Sequence, residues 1–501
     1  MATLITEDCK KIAARARLVL LVLLALILFA SPVSVQAQGP AETQQSSSEA
    51  TENNRKTGAA DAVNSQKISP AEAEELFRSV DEILRFASKD TGLPIKHEVK
   101  RRLTSREEVV AYLEKNIAED KDAQRLHRSE LVLKKFGLLP RDFDLHSFLV
   151  KLLKEQVAGY YDPKTKTVNL LDWLEASQQR PVLAHELTHA LQDQSFGLKK
   201  WMQAGAADLT EKKDPTSADI ENDEINESRQ AVVEGQAMGV LLDYMLAPTR
   251  RSLTDSPQLL ETMKAAMLEG AADAPEFRDA PIFLRESLTF PYRYGTDFVA
   301  DVMRKRGKAG TSAIFTNPPR NTRQIMEPDT YLSDEQIPPM PLPDFKQVFR
   351  DYDRFDIGAI GEFDVSVLLD QYAGTDVSRK LYPHWRGGYY YAARPKSGSD
   401  ASLGLLYVSR WSDSASASSF AATYAKALLK RYQRVQEATS EGSKPEVDLN
   451  AVANLTGSHA WMTEEGPVFI EVNNDTVLVT ESLSQAITEK LEQALFTPAA
   501  K

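Results

Sequence analysis

The sequence predicts an α+β protein. A mostly helical unit over residues 67–345, with a small sheet or hairpin, precedes a smaller α+β unit over 346–501. In the first unit, apolar residues recur mainly at helical spacing, while residues 157–171 form two short alternating runs around an Asp-Pro turn. Beyond the proline-rich stretch 338–343, the pattern predicts strands over 387–394 and 403–411, a long helix over 414–437, strands over 460–462 and 468–479, and a final helix. This change of pattern marks the predicted boundary between the two units.

The start of the chain predicts export. Four positive charges precede an apolar run over residues 18–30, and residues 35–37 fit the small-x-small pattern for signal peptide cleavage. A run of 13 residues is short for a membrane span, so a cleaved signal peptide over 1–37 is favoured over a retained anchor. Residues 38–66 are polar and predict a disordered linker. We expect the mature chain in the periplasm, the cell envelope or the medium, without a stable membrane span.

Composition excludes several classes of function. The net charge is -12 over 501 residues, and removing residues 1–37 takes away four positive and two negative charges, which changes it to about -14. This acidity disfavours nucleic acid as a partner. The single cysteine, Cys9, lies in the predicted signal peptide, so the mature chain can form no disulfide. The sequence contains no glycine-rich phosphate loop, Cys-x-x-Cys pair or Gly-x-Ser-x-Gly elbow, so nucleotide, redox and serine hydrolase functions lack support.

The first helix is predicted to begin after Ser69. Ser69 and Glu72 form a capping-box pattern, in which each side chain can accept a hydrogen bond from the backbone of the other residue. The apolar residues that follow recur at helical spacing; they are Leu76, Phe77, Val80, Ile83, Leu84 and Phe86. Further helices are expected up to about residue 156, packed around the hairpin.

The motif His-Glu-Leu-Thr-His at residues 185–189 is the strongest functional signal in the chain. On a helix, residues four apart project to the same side, so His185 and His189 can bind one metal ion. Zinc requires neutral imidazole ligands, and Glu186 would lie close enough to a zinc-bound water to remove its proton. The motif therefore predicts zinc-dependent peptide hydrolysis with Glu186 as general base. The alternative is an ordinary solvated helix face.

The helix that carries the motif is predicted to begin at Pro181, because proline is favoured in a first helical turn. Leu183, Leu187 and Leu191 would face the core along one side of this helix. The two imidazoles would then project from roughly the opposite side and line a cleft.

Residues 185–190, followed by Asp193, resemble the active-site helix of thermolysin-like zinc metallopeptidases, the gluzincins. The resemblance implies a zincin-like fold, a zinc cofactor, a peptide or protein substrate, and a glutamate from a later helix as third metal ligand. It also implies that Asp193 accepts the outer N–H of a ligating imidazole. Residues 150–345 are similar to exported bacterial metallopeptidase-like proteins of unassigned function.

The third ligand is predicted on a second helix over residues 228–246. Glu234 is flanked there by small and apolar residues, and a buried carboxylate without a partner is costly, so a metal is a natural explanation. Glu234 matches the glutamate of the gluzincin pattern, although Met238 stands where thermolysin has an aspartate. Glu227 is the competing ligand, but its polar surroundings indicate a solvated helix start. An interfacial salt bridge is the structural alternative for Glu234, and Gly235 would let two helices approach closely.

Two further features of the proposed site stay open at this stage. The donor to the developing oxyanion could be Tyr292, Arg293, Tyr294 or His384, and the sequence does not choose between them. The hairpin at 157–171 precedes the motif; in gluzincins a strand at this place forms the cleft rim and can pair with an extended substrate. A plain structural hairpin is an equally good interpretation.

A different class of function is compatible with the same motif. The chain could be a binding or scaffolding component of the cell envelope that keeps a zincin fold without turnover. In the unit over 346–501, His384 and His459 stand alone and predict no ligand cluster. Presenting substrate, attaching to the envelope and supporting the first unit are all open roles for it. Metal analysis, followed by a protease assay, distinguishes an enzyme from a scaffold.

Overall fold

A computed structural model provides the fold. It describes residues 67–117, 120–155, 159–203, 209, 212, 214–255, 257–272, 274–397, 401–438 and 447–496. The predicted signal peptide and linker lie outside these ranges. Within them, no helix is both long and apolar enough to cross a bilayer.

The secondary-structure elements that precede the proline-rich stretch are mostly helices. They are α1 Pro70–Thr91, β1 Lys100–Thr104, α2 Arg106–Ile117, α3 Asp120–Phe136, α4 Leu145–Glu155, β2 Tyr160–Asp162, β3 Thr167–Leu171, α5 Ala176–Phe196, α6 Leu198–Gln203, α7 Ser217–Leu246, α8 Pro257–Ala272, α9 Pro275–Arg278, α10 Ile282–Ala313, α11 Thr322–Met326 and α12 Pro328–Leu332. Helix α10 contains one break, at Gly307, whose φ of 69° is not helical.

The remaining elements alternate between helices and strands. They are α13 Phe345–Val348, β4 Tyr352–Ala359, α14 Glu362–Ala373, α15 Thr375–Leu381, β5 Trp385–Pro395, β6 Gly404–Trp411, α16 Ser414–Arg431, β7 Val435–Glu437, β8 Gly457–Thr463, β9 Gly466–Asn473, β10 Thr476–Glu481 and α17 Gln485–Phe496. The described residues therefore form a mixed α+β fold with one three-stranded and one seven-stranded sheet, which confirms the predicted α+β class.

The small sheet has the strand order β1-β3-β2 and contains the predicted hairpin. Strands β2 and β3 are antiparallel, with Tyr161 opposite Val168, while β1 pairs with β3 in parallel. The first helix also begins as predicted, because Ser69 and Glu72 form the reciprocal capping box. Its buried face packs against α5 and the small sheet through a shared apolar core, whose members include Leu76, Val80, Ile83, Val168, Leu183, Leu187 and Leu191.

Helix α5 begins at Ala176, so the predicted start at Pro181 was wrong. The earlier start follows from Gln179. Its side chain accepts a hydrogen bond from the backbone N–H of Leu171 and donates to the carbonyls of Leu171 and Leu174. These bonds anchor the first turn of α5 to the end of β3. Pro181 lies inside the helix.

Helix α7 begins at Ser217, 11 residues before the predicted start at 228. Thr216 and Asp219 form a capping box at its true beginning, which satisfies backbone N–H groups of the first turn. Glu227 is therefore in the middle of the helix, and the interpretation of a solvated helix start was wrong.

Helices α7 and α10 cross in direct backbone contact. A Cβ atom added to Gly235 would lie 2.2 Å from the carbonyl carbon and oxygen of Gly295, and one added to Gly295 would lie 2.2 Å from the carbonyl oxygen of Ala231. No side chain fits at this crossing. The prediction that Gly235 lets two helices approach closely is confirmed.

The seven-stranded sheet is antiparallel throughout, with the order β4-β5-β6-β10-β9-β8-β7. Helices α14 and α16 belong to one apolar cluster with the sheet, and α17 belongs to another. Phe136 at the end of α3 lies in the first cluster, with its ring 5.5 Å from that of Tyr407. The long helix predicted over 414–437 ends at Arg431, because Tyr432 adopts extended backbone angles and β7 follows.

Candidate metal centre

The two histidines of the motif meet Glu234 at one point. The Nε2 atoms of His185 and His189 are 3.0 Å apart, and the Oε2 atom of Glu234 lies 3.2 Å from the first and 3.5 Å from the second. A tetrahedral site with nitrogen and oxygen ligands at about 2.0–2.2 Å from a metal separates its ligand atoms by about 3.3–3.6 Å. One of the three separations falls in this range and the other two are slightly shorter, so the three atoms are close enough together that they could hold one metal ion.

The backbone explains how the three ligands come together. His185 and His189 are one turn apart on α5, so their rings share one side of that helix. Glu234 comes from α7, which packs against α5 and is held against α10 by the glycine contact at Gly235. The structure thus brings Glu234 to the imidazoles, while Glu227 is not part of this group within the described residues.

Among the three ligand atoms, the carboxylate oxygen of Glu234 lacks a hydrogen bond, whereas the two Nε2 atoms lie within hydrogen-bonding distance of each other. Glu234 is 5% exposed, and its Oε2 atom has no hydrogen-bond partner among the described residues. A buried carboxylate oxygen without a partner is destabilising unless a cation or a proton compensates its charge. This donor set of two imidazole nitrogens and one carboxylate oxygen fits a bound metal ion.

Burial and the charges of neighbouring residues shift the pKa values of all three residues. Burial lowers the pKa of His185. Burial also opposes the charge on His189, but the neighbouring Glu234 carboxylate outweighs it and raises the pKa of His189 to about 9. For Glu234 burial favours the neutral form, yet His189 lowers its pKa to about 2. Without a metal, the proton on His189 compensates Glu234, and a bound cation would displace that proton.

Glu186 lies beside this group with one carboxylate oxygen held and the other without a partner. Its Oε2 atom accepts a hydrogen bond of 2.7 Å from the backbone N–H of Tyr161 on β2. Its Oε1 atom is buried and has no hydrogen-bond partner among the described residues. Burial raises the pKa of Glu186 to about 7. A carboxyl group with a pKa near neutrality can accept and release a proton at ordinary working pH.

Gln192 holds the ring of His189, which the sequence analysis missed. The Nδ1 atom of His189 lies 2.9 Å from Oε1 of Gln192, three residues further along α5. The predicted partner, Asp193, instead accepts hydrogen bonds from the Tyr161 hydroxyl at 3.0 Å and from the backbone N–H of Leu198 at 3.1 Å. The prediction for Asp193 was wrong because its carboxylate faces the hairpin and the start of α6. The i,i+3 spacing from His189 was the available signal for Gln192.

Of the predicted oxyanion donors on α10, the structure brings Tyr292 to the centre. Its ring is buried and stacks against that of His185, with 6.2 Å between centroids. Arg293 pairs with Glu286 at 3.3 Å, and its guanidinium group lies 5.2 Å from the ring centroid of Tyr294.

His384 has a different set of contacts. It precedes β5 in the unit of the seven-stranded sheet, and its Nδ1 atom is 2.7 Å from the hydroxyl oxygen of Ser412. His459 lies on β8, where its Nε2 atom is 3.0 Å from the carbonyl oxygen of Thr456. Neither histidine is part of the three-ligand group.

The centre is almost closed to solvent. The side chains of His185 and Glu234 are 1% and 7% exposed, and that of His189 is 12% exposed. Strand β2 is an edge of its sheet, but its residues are buried, and the N–H of Tyr161 is bonded to Glu186. The three ligand side chains are therefore largely buried, and that of His189 is the most exposed.

Comparison with models of protein families, with curated proteins and with solved structures found no match to this chain. The resemblance to gluzincins therefore stays a prediction from the motif. The features of this chain that indicate a function are the positions of His185, Glu186, His189 and Glu234.

Proposed function

We propose that this protein is an exported zinc-dependent metallopeptidase with a zincin-like fold. His185, His189 and Glu234 hold the zinc ion, and Glu186 is the general base. The observation that carries the proposal is the convergence of three ligand atoms, 3.0 to 3.5 Å apart, beside a buried carboxyl group with one unpartnered oxygen. Export rests on the sequence of residues 1–37.

The composition of the ligand set supports zinc. Two imidazoles and one carboxylate are typical ligands of catalytic zinc, which keeps a fourth position open for water or substrate. Calcium and magnesium prefer oxygen ligands alone, and structural zinc sites are usually closed by a fourth protein ligand. A centre with three protein ligands therefore supports a catalytic site.

When bound, zinc supplies Lewis acidity toward water and toward a peptide carbonyl group. The backbone N–H of Tyr161 orients Glu186, so that its Oε1 atom is the oxygen available for proton transfer. Oε1 accepts a proton from water as the water oxygen bonds to the peptide carbon. Glu186 then donates this proton to the nitrogen of the departing amine as the carbon–nitrogen bond breaks.

The position of Tyr292 supports it as the donor to the developing oxyanion, because its ring stacks against that of His185, with 6.2 Å between centroids.

The burial of the three ligand side chains supports an extended peptide segment, rather than the surface of a folded protein, as the substrate. A chain in extended conformation can reach a nearly closed centre with less rearrangement.

The first test combines metal analysis with a cleavage assay on the wild type and on Glu186→Gln. The substitution keeps the size of the side chain and removes its ability to accept a proton. We expect one zinc per chain in both proteins, and cleavage of an unfolded substrate that is slower by about 10²–10⁴-fold in the variant.

Two outcomes of this test would contradict the proposal. Absence of stoichiometric metal from the wild type would remove its basis. Stoichiometric zinc without any cleavage that depends on Glu186 would favour the scaffolding function, in which the centre stabilises the fold.

A further inference from the structure

Gln192 is a fully buried amide at the contact between the two ligand-bearing helices. Its Oε1 atom lies 2.9 Å from Nδ1 of His189. Its Nε2 atom donates hydrogen bonds of 3.0 Å to the carbonyl oxygen of Val233 and to Oε1 of Gln236, both on α7. One side chain thus connects a metal ligand on α5 to the residue that precedes another ligand, Glu234.

The orientation of this amide is determined by its partners. A backbone carbonyl can only accept a hydrogen bond, so the atom of Gln192 that faces Val233 must be the NH₂ group. The carbonyl oxygen of the amide then faces Nδ1 of His189. This ring nitrogen must carry a proton, because only an N–H can donate to that oxygen.

The tautomer of His189 follows from this bond. A neutral imidazole with a proton on Nδ1 has its lone pair on Nε2, the atom that points toward Nε2 of His185 and Oε2 of Glu234. This is the form that a metal ion requires at this position. At His185 the situation differs, because its Nδ1 atom has no hydrogen-bond partner among the described residues. Among the described residues, a side-chain hydrogen bond to Nδ1 therefore controls the ring orientation and the tautomer of His189, but no such bond does so for His185.

We propose that Gln192 is the positioning residue of the metal centre. It holds His189 in the tautomer that binds metal through Nε2, and it fixes α5 against α7 so that Glu234 reaches both rings. This inference rests on the proposed metal-binding function and adds the residue that organises its geometry before metal binds.

The test compares variants of full-length protein after removal of metal with a chelator. Zinc affinity is measured by competition with a chromophoric chelator, and ligand geometry by the visible absorption spectrum after loading with Co²⁺. Gln192→Leu removes the acceptor for His189, so we expect zinc affinity to fall by about 10–100-fold and the Co²⁺ bands to shift. Gln192→Glu keeps an acceptor for Nδ1 of His189 but loses the N–H donor to the carbonyl oxygen of Val233, so it separates the bond to His189 from the bond to α7. We expect its zinc affinity to lie between those of Gln192→Leu and the wild type.

Gln194→Leu is the matched control. Gln194 lies on the same helix and accepts hydrogen bonds from the backbone N–H groups of Lys96 and His97, away from the centre. We expect this control to leave zinc affinity and the Co²⁺ spectrum unchanged. Thermal melting of each protein verifies folding, and Gln192→Met, which keeps the length of the side chain, replaces Gln192→Leu if the leucine variant does not fold.

The inference is overturned if Gln192→Leu binds zinc as tightly as the wild type, if both leucine variants weaken it equally, or if Gln192→Glu binds as weakly as Gln192→Leu. The same titration separates this failure from failure of the proposed function. A wild type that binds no zinc contradicts the metal centre itself, whereas a wild type that binds zinc with no effect of Gln192 contradicts only its positioning role.

Discussion

Both the candidate metal centre and the cluster around Glu481 in the seven-stranded sheet contain buried charged side chains. The two places differ in how hydrogen bonds and opposite charges compensate the buried carboxylate. Glu481 is fully buried and accepts hydrogen bonds from Arg431 on both oxygens, from Tyr424 on Oε1 and from Tyr432 on Oε2. In the metal centre, the Oε2 atom of Glu234 has no such partner.

The pKa values reflect this difference. Burial opposes ionisation of Glu481, but Arg431 and Lys135 outweigh it and lower its pKa, so the carboxylate stays charged with both of its oxygen atoms hydrogen-bonded. Burial raises the pKa of Glu186 to about 7, because its hydrogen bond from Tyr161 compensates only part of the lost hydration. Buried charge alone therefore does not indicate a functional site. The convergence of two imidazole nitrogens on an unpartnered carboxylate oxygen distinguishes the candidate metal centre from the structural cluster.

The largest expected effect is a loss of stability on substitution of Glu481. Glu481→Gln leaves the guanidinium group of Arg431 buried without its counter-charge, so we expect the free energy of unfolding to fall by about 3–5 kcal/mol. Denaturant unfolding measures this loss. Glu489→Gln, an exposed position on α17, is the control and should change stability by less than about 0.5 kcal/mol. A loss of zinc affinity in folded Glu481→Gln would show that the clusters are not independent.

The complementary variant is Glu234→Gln, which removes the proposed third metal ligand. Sharing a binding free energy of about 10–16 kcal/mol among four ligands gives about 2.5–4 kcal/mol each, so we expect zinc affinity to fall by about 10²–10³-fold. Chelator competition measures this change. The control is Glu227→Gln, on the same helix but outside the ligand group. If Glu227→Gln weakened zinc binding more than Glu234→Gln, the assignment of the third ligand would be wrong.

The pH dependence of stability gives a third comparison, between Glu481 and the buried Glu224 on α7. Burial raises the pKa of Glu224 to about 8, although its carboxylate accepts hydrogen bonds from the backbone N–H and the hydroxyl group of Thr322. A group whose pKa is higher in the folded than in the unfolded state contributes stability below its unfolded pKa, here about 4.5. This contribution is lost as pH rises toward about 8.

The pKa of Glu481 is shifted in the opposite direction, so its contribution is present above about pH 4.5 and lost in acid. We therefore expect Glu224→Gln to reduce the decline in stability between about pH 4.5 and 8 by on the order of 3 kcal/mol. Unfolding free energies at several pH values measure this. An identical pH profile in wild type and variant would contradict the shift.

The smallest expected effect concerns the helix crossing that supports Glu234. Gly235→Ala places a methyl group 2.2 Å from the backbone of Gly295, so α7 and α10 must separate, at a cost of about 1–3 kcal/mol. Gly239→Ala is the matched control one turn further on α7, where the new Cβ atom would meet Leu253 at an ordinary 3.4 Å. We expect that control to be neutral or slightly stabilising. Equal melting temperatures for the two variants would show that the crossing can relax.

Several features of the site could be predicted because their signals are local in the chain. The spacing of His185 and His189 is converted by the helix into a shared direction, and the apolar setting of Glu234 indicated an inward carboxylate. The hairpin before α5 followed from its alternating pattern. The start of α7 was missed although Thr216 and Asp219 form a capping box, because the polar run after them lacks helical apolar periodicity.

Local sequence was enough to locate the helix of the motif, the hairpin and the candidate ligands, since capping, periodicity and i,i+4 spacing act over a few residues. The tertiary structure decided which partner holds His189. Gln192 and Asp193 are adjacent polar residues, and only the packing of α7 on one side and of the hairpin on the other separates their roles. The crossing of α7 with α10 likewise set where Glu234 lies. Such contacts join residues distant in the chain, and no local pattern encodes which elements will meet.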